Sequence, residues 1–329
     1  MRNQLIVLFV IFTSILFAQK SNDLAFYVDS THTISKESNY KFIRVVKEYH
    51  LEKENYVFAE YYKSGKIALK GITKDKNSLK FIGSTVSYYE NGTKKKISNY
   101  LDFHLNGKQF GWYENGTTEF EKEFLIDKKN NTIVEKILQH WDENNIQDVV
   151  NGNGFYRKTI GTNIEDNNFI NTFSESGEIK NGLRNGIWTG KSNYFKTNFV
   201  ENYNEGRLIN GITTDENKIE HPYTKVYKKP IPKTGIDNFY KYIGQNYTIP
   251  RITPSYERPL TTNIDGKILI SFIVDETGKL INPQIIYDLG YGTGDEALRI
   301  LKKAADWLPG EIRGIKTKAY YTLPITIKN

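Results

Sequence analysis

Apolar and polar positions alternate in short runs through most of this chain, and the period changes only near its end. Early stretches such as "AFYVDS" and "YKFIRVVKEYH" already alternate as strands do. In the last hundred residues, Ile236, Phe239, Tyr240 and Ile243 fall at helical spacing, with Thr234 as the expected cap and Asp237 three places on. Ile268, Ile270, Phe272 and Val274 then alternate with Leu269, Ser271 and Ile273, which predicts a strand with one buried face. Asp275-Glu276-Thr277-Gly278 reads as a hairpin turn and Lys279–Tyr287 as the returning strand. Pro283 has no N–H, so it must face away from a ladder partner or sit at a bulge. Thr293 and Glu296 have capping-box spacing for a second helix, with Ala297, Leu298, Leu301, Ala304 and Ala305 as its buried stripe. Trp307 and Pro309-Gly310 turn the chain back into a last alternating strand, Thr317–Ile327. The order α-β-β-α-β predicts an α+β domain over residues 235–329, a three-stranded antiparallel sheet with two helices.

Upstream, between residues 57 and 213, the chain repeats a short phrase. "YYKSG" ends at Gly65, "YYENG" at Gly92, "WYENG" at Gly116 and "FSESG" at Gly177, while "YNEGR" places its glycine at 206. "HWDENN" at His140–Asn145 reads as a degenerate copy, and residues 125–170 otherwise depart from the pattern. In each phrase aromatics pack an apolar face, a polar pair turns, and Gly or Asn takes the left-handed backbone angle. Units that cannot bury a face alone must stack, so residues 19–215 are expected to form a mainly-β array of hairpins. The paired rings Tyr61, Tyr62, Tyr88, Tyr89, Trp112 and Tyr113 are expected to serve chiefly as packing rather than as a ligand groove.

Residues 216–234 hold Pro222, Pro230 and Pro232 and few periodic apolar positions, which marks them as an extended linker. At the N-terminus, Arg2, the apolar run Leu5–Phe17 and Ala18-Gln19 read as an export signal over residues 1–18. That run is shorter than the ~20 residues needed to span a bilayer, so cleavage and an exported, periplasmic or outer-membrane-associated chain are expected. The alternative is retention of the run as an anchor.

Composition narrows the chemistry. The chain has 329 residues, net charge +7, 23 Tyr and no Cys. Disulfides, thiolate metal sites and a cysteine nucleophile are therefore excluded. The cations are scattered, and the densest run, Thr93–Ser98, is too short for a nucleic-acid stripe. "GYGTGD" at Gly290–Asp295 lacks both the dinucleotide and the phosphate-loop spacing. His32, His50, His104, His140 and His221 show no metal-ligand spacing, and no nucleophile-base-acid set can be assembled. Neither an enzyme, a cofactor nor a small-molecule substrate is expected.

Two resemblances add to this reading. Tyr88–Gly92, Trp112–Gly116 and the cadence of Asn181–Phe195 resemble MORN-type repeats. Tyr247–Pro250, Gly266–Lys279, Asp295–Leu298, Trp307–Gly310 and Leu323–Ile325 together resemble the TonB C-terminal domain family. That second resemblance implies strand addition, in which a peptide of an outer-membrane receptor or another envelope protein pairs with the terminal strand. The implied contact surface is Lys318, Ala319, Tyr320, Tyr321, Thr322, Leu323, Pro324, Ile325 and Thr326, with Gln245, Asn246, Tyr247 and Pro250 nearby. A homodimer through the same strand is a further implied partner. A membrane-anchored energy transducer and a structural surface repeat protein are the alternatives to a docking protein.

Overall fold

The computed structural model describes residues 22–30, 32, 34, 37–127, 132–163, 170–250, 265–304 and 306–327. The expected signal falls outside them. The protein is mainly β with extensive antiparallel sheet, and it divides into two compact units, residues 1–151 and 152–329.

The first unit is a meander of β1 (Leu24–Val28), β2 (Phe42–Val46), β3 (Tyr56–Tyr62), β4 (Ile67–Thr73), β5 (Phe81–Tyr88), β6 (Lys94–Leu101), β7 (His104–Leu105), β8 (Gly107–Trp112), β9 (Thr118–Asp127), β10 (Thr132–Trp141) and β11 (Gln147–Val150). Successive strands pair antiparallel, with β6 meeting both β7 and β8. The repeated phrase is a turn with a fixed wiring. Tyr89 N–H donates to the Thr93 carbonyl at 2.8 Å and Gly92 N–H to the Tyr89 carbonyl at 2.9 Å. The same pair of bonds recurs at Tyr62/Gly65/Lys66, Tyr113/Gly116/Thr117 and Asp142/Asn145/Ile146. A left-handed residue closes each turn, Gly92 at φ 96° and Asn145 at φ 61°, so "HWDENN" builds the turn with asparagine in place of glycine. Each tyrosine then ties its hairpin to the next. Tyr62, Tyr89 and Tyr113 hydroxyls donate to the carbonyls of Tyr88, Trp112 and Trp141 at 2.8, 2.9 and 2.8 Å.

The second unit opens with another meander: β12 (Asn153–Asn163), β13 (Ile170–Lys180), β14 (Leu183–Ser192), β15 (Thr197–Asn204), β16 (Arg207–Thr214) and β17 (Glu220–Tyr223). The described residues within 125–170, a stretch expected to break the pattern, contribute strands to both meanders. Gly177 corrects a second expectation. It lies inside β13 opposite Trp188, and does not turn the chain. A Cβ at Gly177 would sit 2.3 Å from the Trp188 ring. Phe58 over Gly71, Phe120 over Gly111, Phe199 over Gly190 and Tyr223 over Gly211 repeat the arrangement, each pair directly opposite across two strands. Glycine thus recurs for two reasons here, to turn and to admit a ring from the neighbouring strand.

Residues 216–234 are not a free spacer. They hold β17, β18 (Tyr227–Lys228) and β19 (Ile231–Pro232), and each pairs within the second unit. The chain continues as α1 (Ile236–Asn246), β20 (Gly266–Val274), β21 (Leu280–Tyr287), α2 (Thr293–Leu301), β22 (Trp307–Leu308), β23 (Gly310–Ile312), β24 (Ile315–Thr317) and β25 (Ala319–Ile327). β18 pairs with β23 and β19 with β22, so the linker is sewn to the segment after α2. The expected last strand from Thr317 is split, with β24 returning to β23 before β25 begins. β20 is the middle strand, flanked by β21 and β25.

Ile268, Ile270, Phe272 and Val274 bury one face of β20 beneath α1 and α2, with Phe239, Ile243, Ala297 and Ile300 above them. Trp307 is fully buried and meets Phe239, Phe272 and Tyr321 edge-on, with ring centroids 5.2, 5.4 and 4.7 Å away. Its backbone N–H donates to the Gly278 carbonyl at 2.8 Å, anchoring the β20–β21 turn to the core. Neither helix starts as its sequence suggested. Gly235 occupies the N-cap of α1 instead of Thr234, and Gly292 that of α2, both without a side-chain cap. Thr293 lies one residue inside α2 and its hydroxyl donates back to the Gly290 carbonyl. α2 buries Thr293, Gly294, Ala297, Ile300 and Leu301 and ends at Leu301; Ala305 lies outside the described residues.

Candidate functional site

The terminal strand and its surroundings hold the residues nominated by sequence. β25 runs antiparallel to β20 in nine consecutive pairs, Gly266↔Ile327 to Val274↔Ala319, with no break in register. Its other edge meets no strand among the described residues. β21, the opposite edge of the sheet, differs. Its register with β20 shifts twice, Asn282 adopts φ 51°, and Pro283 follows. Bulges and proline are the usual defences of an exposed edge, and β21 has both. β25 has one such feature, Pro324.

Pro324 sets the parity of that strand. A proline within a ladder is tolerated where its nitrogen faces away from the partner strand. In-plane backbone groups alternate in direction along a strand, so Tyr320, Thr322 and Thr326 share the orientation of Pro324. Tyr320, Thr322 and Thr326 therefore turn their N–H and C=O groups to the open edge, while Pro324 offers only its carbonyl. The nominated residues divide accordingly. Tyr320, Thr322, Pro324 and Thr326 are exposed and present the backbone edge, with Tyr320 86% exposed. Ala319, Leu323 and Ile325 are buried in the core and Tyr321 packs against it. Lys318 lies exposed between β24 and β25.

A cleft of about 240 Å³ opens beside the end of β25, lined by Tyr240, Ile243 and Gly244 of α1, by Tyr247 and Ile249, and by Ile325, Thr326 and Ile327. Of the neighbouring segment, Tyr247 is the nominated residue that reaches it. Gln245 and Asn246 end α1 on its exposed side, and Pro250 is half-buried. The segment is fastened to α2. Tyr247 hydroxyl donates to the Thr293 carbonyl at 2.9 Å, and Thr248 N–H to the Glu296 carboxylate at 2.9 Å. Arg299 binds that carboxylate and donates to the Asn246 carbonyl at 3.0 Å. The acid expected to complete a capping box is thus committed to this contact. Its bond to Arg299 holds Glu296 below the usual carboxylate range, while burial pushes the Tyr247 hydroxyl up to about 12. The cleft wall is fixed in place.

What this arrangement offers chemically is hydrogen-bonding backbone beside a recess lined mainly by isoleucine and tyrosine side chains. Tyr240, Ile243 and Ile249 were not nominated, although the helical spacing of Tyr240 and Ile243 marks a face that could have been followed to β25. Among the described residues no group of three or more His, Asp or Glu could hold a metal, and no helix is long and apolar enough to cross a membrane. No protein-family model matches the chain, and neither a curated protein nor a solved structure matches it.

Proposed function

We propose that this chain is a non-enzymatic protein of the cell envelope whose C-terminal α+β module takes an extended peptide as an added strand beside β25. The peptide belongs to an outer-membrane receptor or another envelope protein, and the repeats act as scaffold. The observation that carries this reading is the continuous, unbulged edge of β25 next to an apolar cleft, on a sheet whose other edge is bulged and proline-blocked. In strand addition, main-chain bonds supply affinity and alternate side chains supply selectivity. An apolar residue of the added strand would enter the cleft at Ile325 and Ile327. The resemblance to the TonB C-terminal family supports the same partner class.

The test is a titration of the full exported chain with labelled peptides from receptor plug domains, followed by fluorescence anisotropy. Thr322→Pro and Thr326→Pro each remove an edge-facing N–H while leaving the bonds to β20 in place. Both should weaken binding about tenfold or more, the equivalent of about 1.4 kcal/mol, with an unchanged melting temperature. Absence of binding by the unmodified chain across such peptides would overturn the proposal, as would binding indifferent to both prolines.

A further inference from the structure

The β23–β24 hairpin ends in a two-residue turn, Arg313-Gly314, with φ of 50° and 78°. Its tip is seated against β17 and the short segment that follows it. Arg313 N–H donates to the Val226 carbonyl at 2.7 Å, and a Cβ on Gly314 would lie 3.0 Å from the His221 carbonyl oxygen. The Arg313 side chain goes further, into a socket on β13, β15 and β17. Its Nε donates to Glu201 Oε1 at 2.8 Å. Its guanidinium lies 4.0 Å from the Phe199 ring centroid and 5.1 Å from that of Phe173, and those two rings stack at 5.8 Å.

Glu201 is fully buried, and its remaining bonds come from the hydroxyls of Tyr203 and Tyr223 at 3.0 and 2.9 Å. The neighbouring acid, Glu175, is held bidentately by Arg184 at 3.0 and 2.6 Å, and Arg184 lies over Trp188 at 4.0 Å. Arg313 Nη2 also approaches Glu175, at 3.8 Å. Two carboxylates thus face two guanidiniums. Removing Arg313 takes away the cation bonded to Glu201, a carboxylate with no access to solvent, which is a strong demand for a cation. The flat ring face beside the acid favours a planar cation carrying several donors over a compact ammonium.

We propose that this socket is a guanidinium-binding site, filled in cis by Arg313, and that it latches the C-terminal module onto the repeat strands. The hairpin acts as the key, and residues 224–226 serve as the backbone tether when the latch is open. Because β24 runs directly into β25, the latch also fixes where the open edge is presented relative to the repeats of the same unit.

Hydrogen exchange read by mass spectrometry on the full chain tests this without any peptide ligand, so it stands or fails apart from the strand-addition reading. Arg313→Ala should speed exchange in β15 and in the 310–317 hairpin about tenfold or more, the equivalent of about 1.4 kcal/mol. The β20–β25 ladder should stay protected. Guanidinium chloride at tens of millimolar should restore protection to β15 in this variant, whereas sodium chloride at equal ionic strength should not. Glu201→Gln keeps the shape and one acceptor oxygen but removes the charge, and its amide nitrogen donates where the carboxylate accepted, so it should loosen the hairpin and abolish guanidinium rescue in the double variant. Exchange in Arg313→Ala equal to the parent would overturn the latch. So would rescue by sodium as effective as by guanidinium, or full additivity of the two substitutions.

Discussion

Glycines and aromatic rings are the side-chain choices that define this protein's sheets. Gly190 shows why. It stands opposite Phe199 between β14 and β15, and a Cβ there would lie 2.3 Å from both a Phe199 ring carbon and the Ser174 carbonyl oxygen. One contact is an aromatic ring packed against Arg313, and the other is backbone, so neither can yield cheaply. Gly190→Ala is therefore expected to destabilise the second unit by about 1–3 kcal/mol, the usual cost of forced overpacking. Gly244→Ala, in α1 with nothing near its Cβ, should be neutral or stabilising. Urea unfolding of both variants checks the contrast; equal midpoints would remove the packing argument. These glycines were visible in the sequence, but their partners were not. "FSESG" looks like a turn phrase because it ends as the others do, and only the cross-strand register reveals that Gly177 makes room for Trp188.

For strands, turns and helices, the legible part was the hairpin. Alternation marked the strands, and the turn phrase marked their ends, because a left-handed residue after a type I turn leaves a glycine or asparagine behind. Register shifts at Glu60/Tyr61, Ser87/Tyr88 and Gly111/Trp112 fall beside these turns, as a bulge there requires. Less legible was the use of the second aromatic. Tyr89 is half-buried, and its hydroxyl closes the gap between one hairpin's turn and the next by donating to the Trp112 carbonyl. Tyr89→Phe keeps the ring and deletes that bond, so a loss of about 0.5–1.5 kcal/mol is expected in the first unit. Trp112 sits in the same wiring, and its fluorescence should report the change during denaturation. A variant as stable as the parent would mean that the carbonyl finds water at no cost. Helix starts differ from the capping spacing for a related reason. Thr293 and Glu296 have capping-box spacing, yet Glu296 is drawn to Arg299 and Thr248, contacts that sequence spacing cannot weigh.

Long-range pairing governs the assembly of the second unit, and it is the part least visible in the chain. Pro222, Pro230 and Pro232 suggested a spacer, but Tyr227 pairs with Ile312 and Ile231 with Leu308, partners that no local periodicity brings together. The same burial that closes these units makes tyrosine a molecule-wide stability probe. Burial raises Tyr62, Tyr89, Tyr100 and Tyr113 in the first unit and Tyr203, Tyr223, Tyr240 and Tyr247 in the second. Tyr203 and Tyr247 are pushed up to about 12. In the unfolded chain such phenols ionise near ~10. Below that pH both states keep their protons and the stabilisation is complete. Above it the unfolded state binds fewer protons than the folded one, so stability must fall with rising pH until the folded values are passed. Urea midpoints should therefore hold level from about pH 7 to about 10 and decline steadily toward about 12, where Tyr203 and Tyr247 titrate. In the folded chain the tyrosinate absorbance of Tyr203 and Tyr247 should appear at about 12 and not at ~10. Tyr203→Phe and Tyr247→Phe together should flatten the decline, since each removes one proton from the difference between the two states. A midpoint that holds level through that window would show that these phenols lose their protons as readily folded as unfolded, and that the rings are not buried as described.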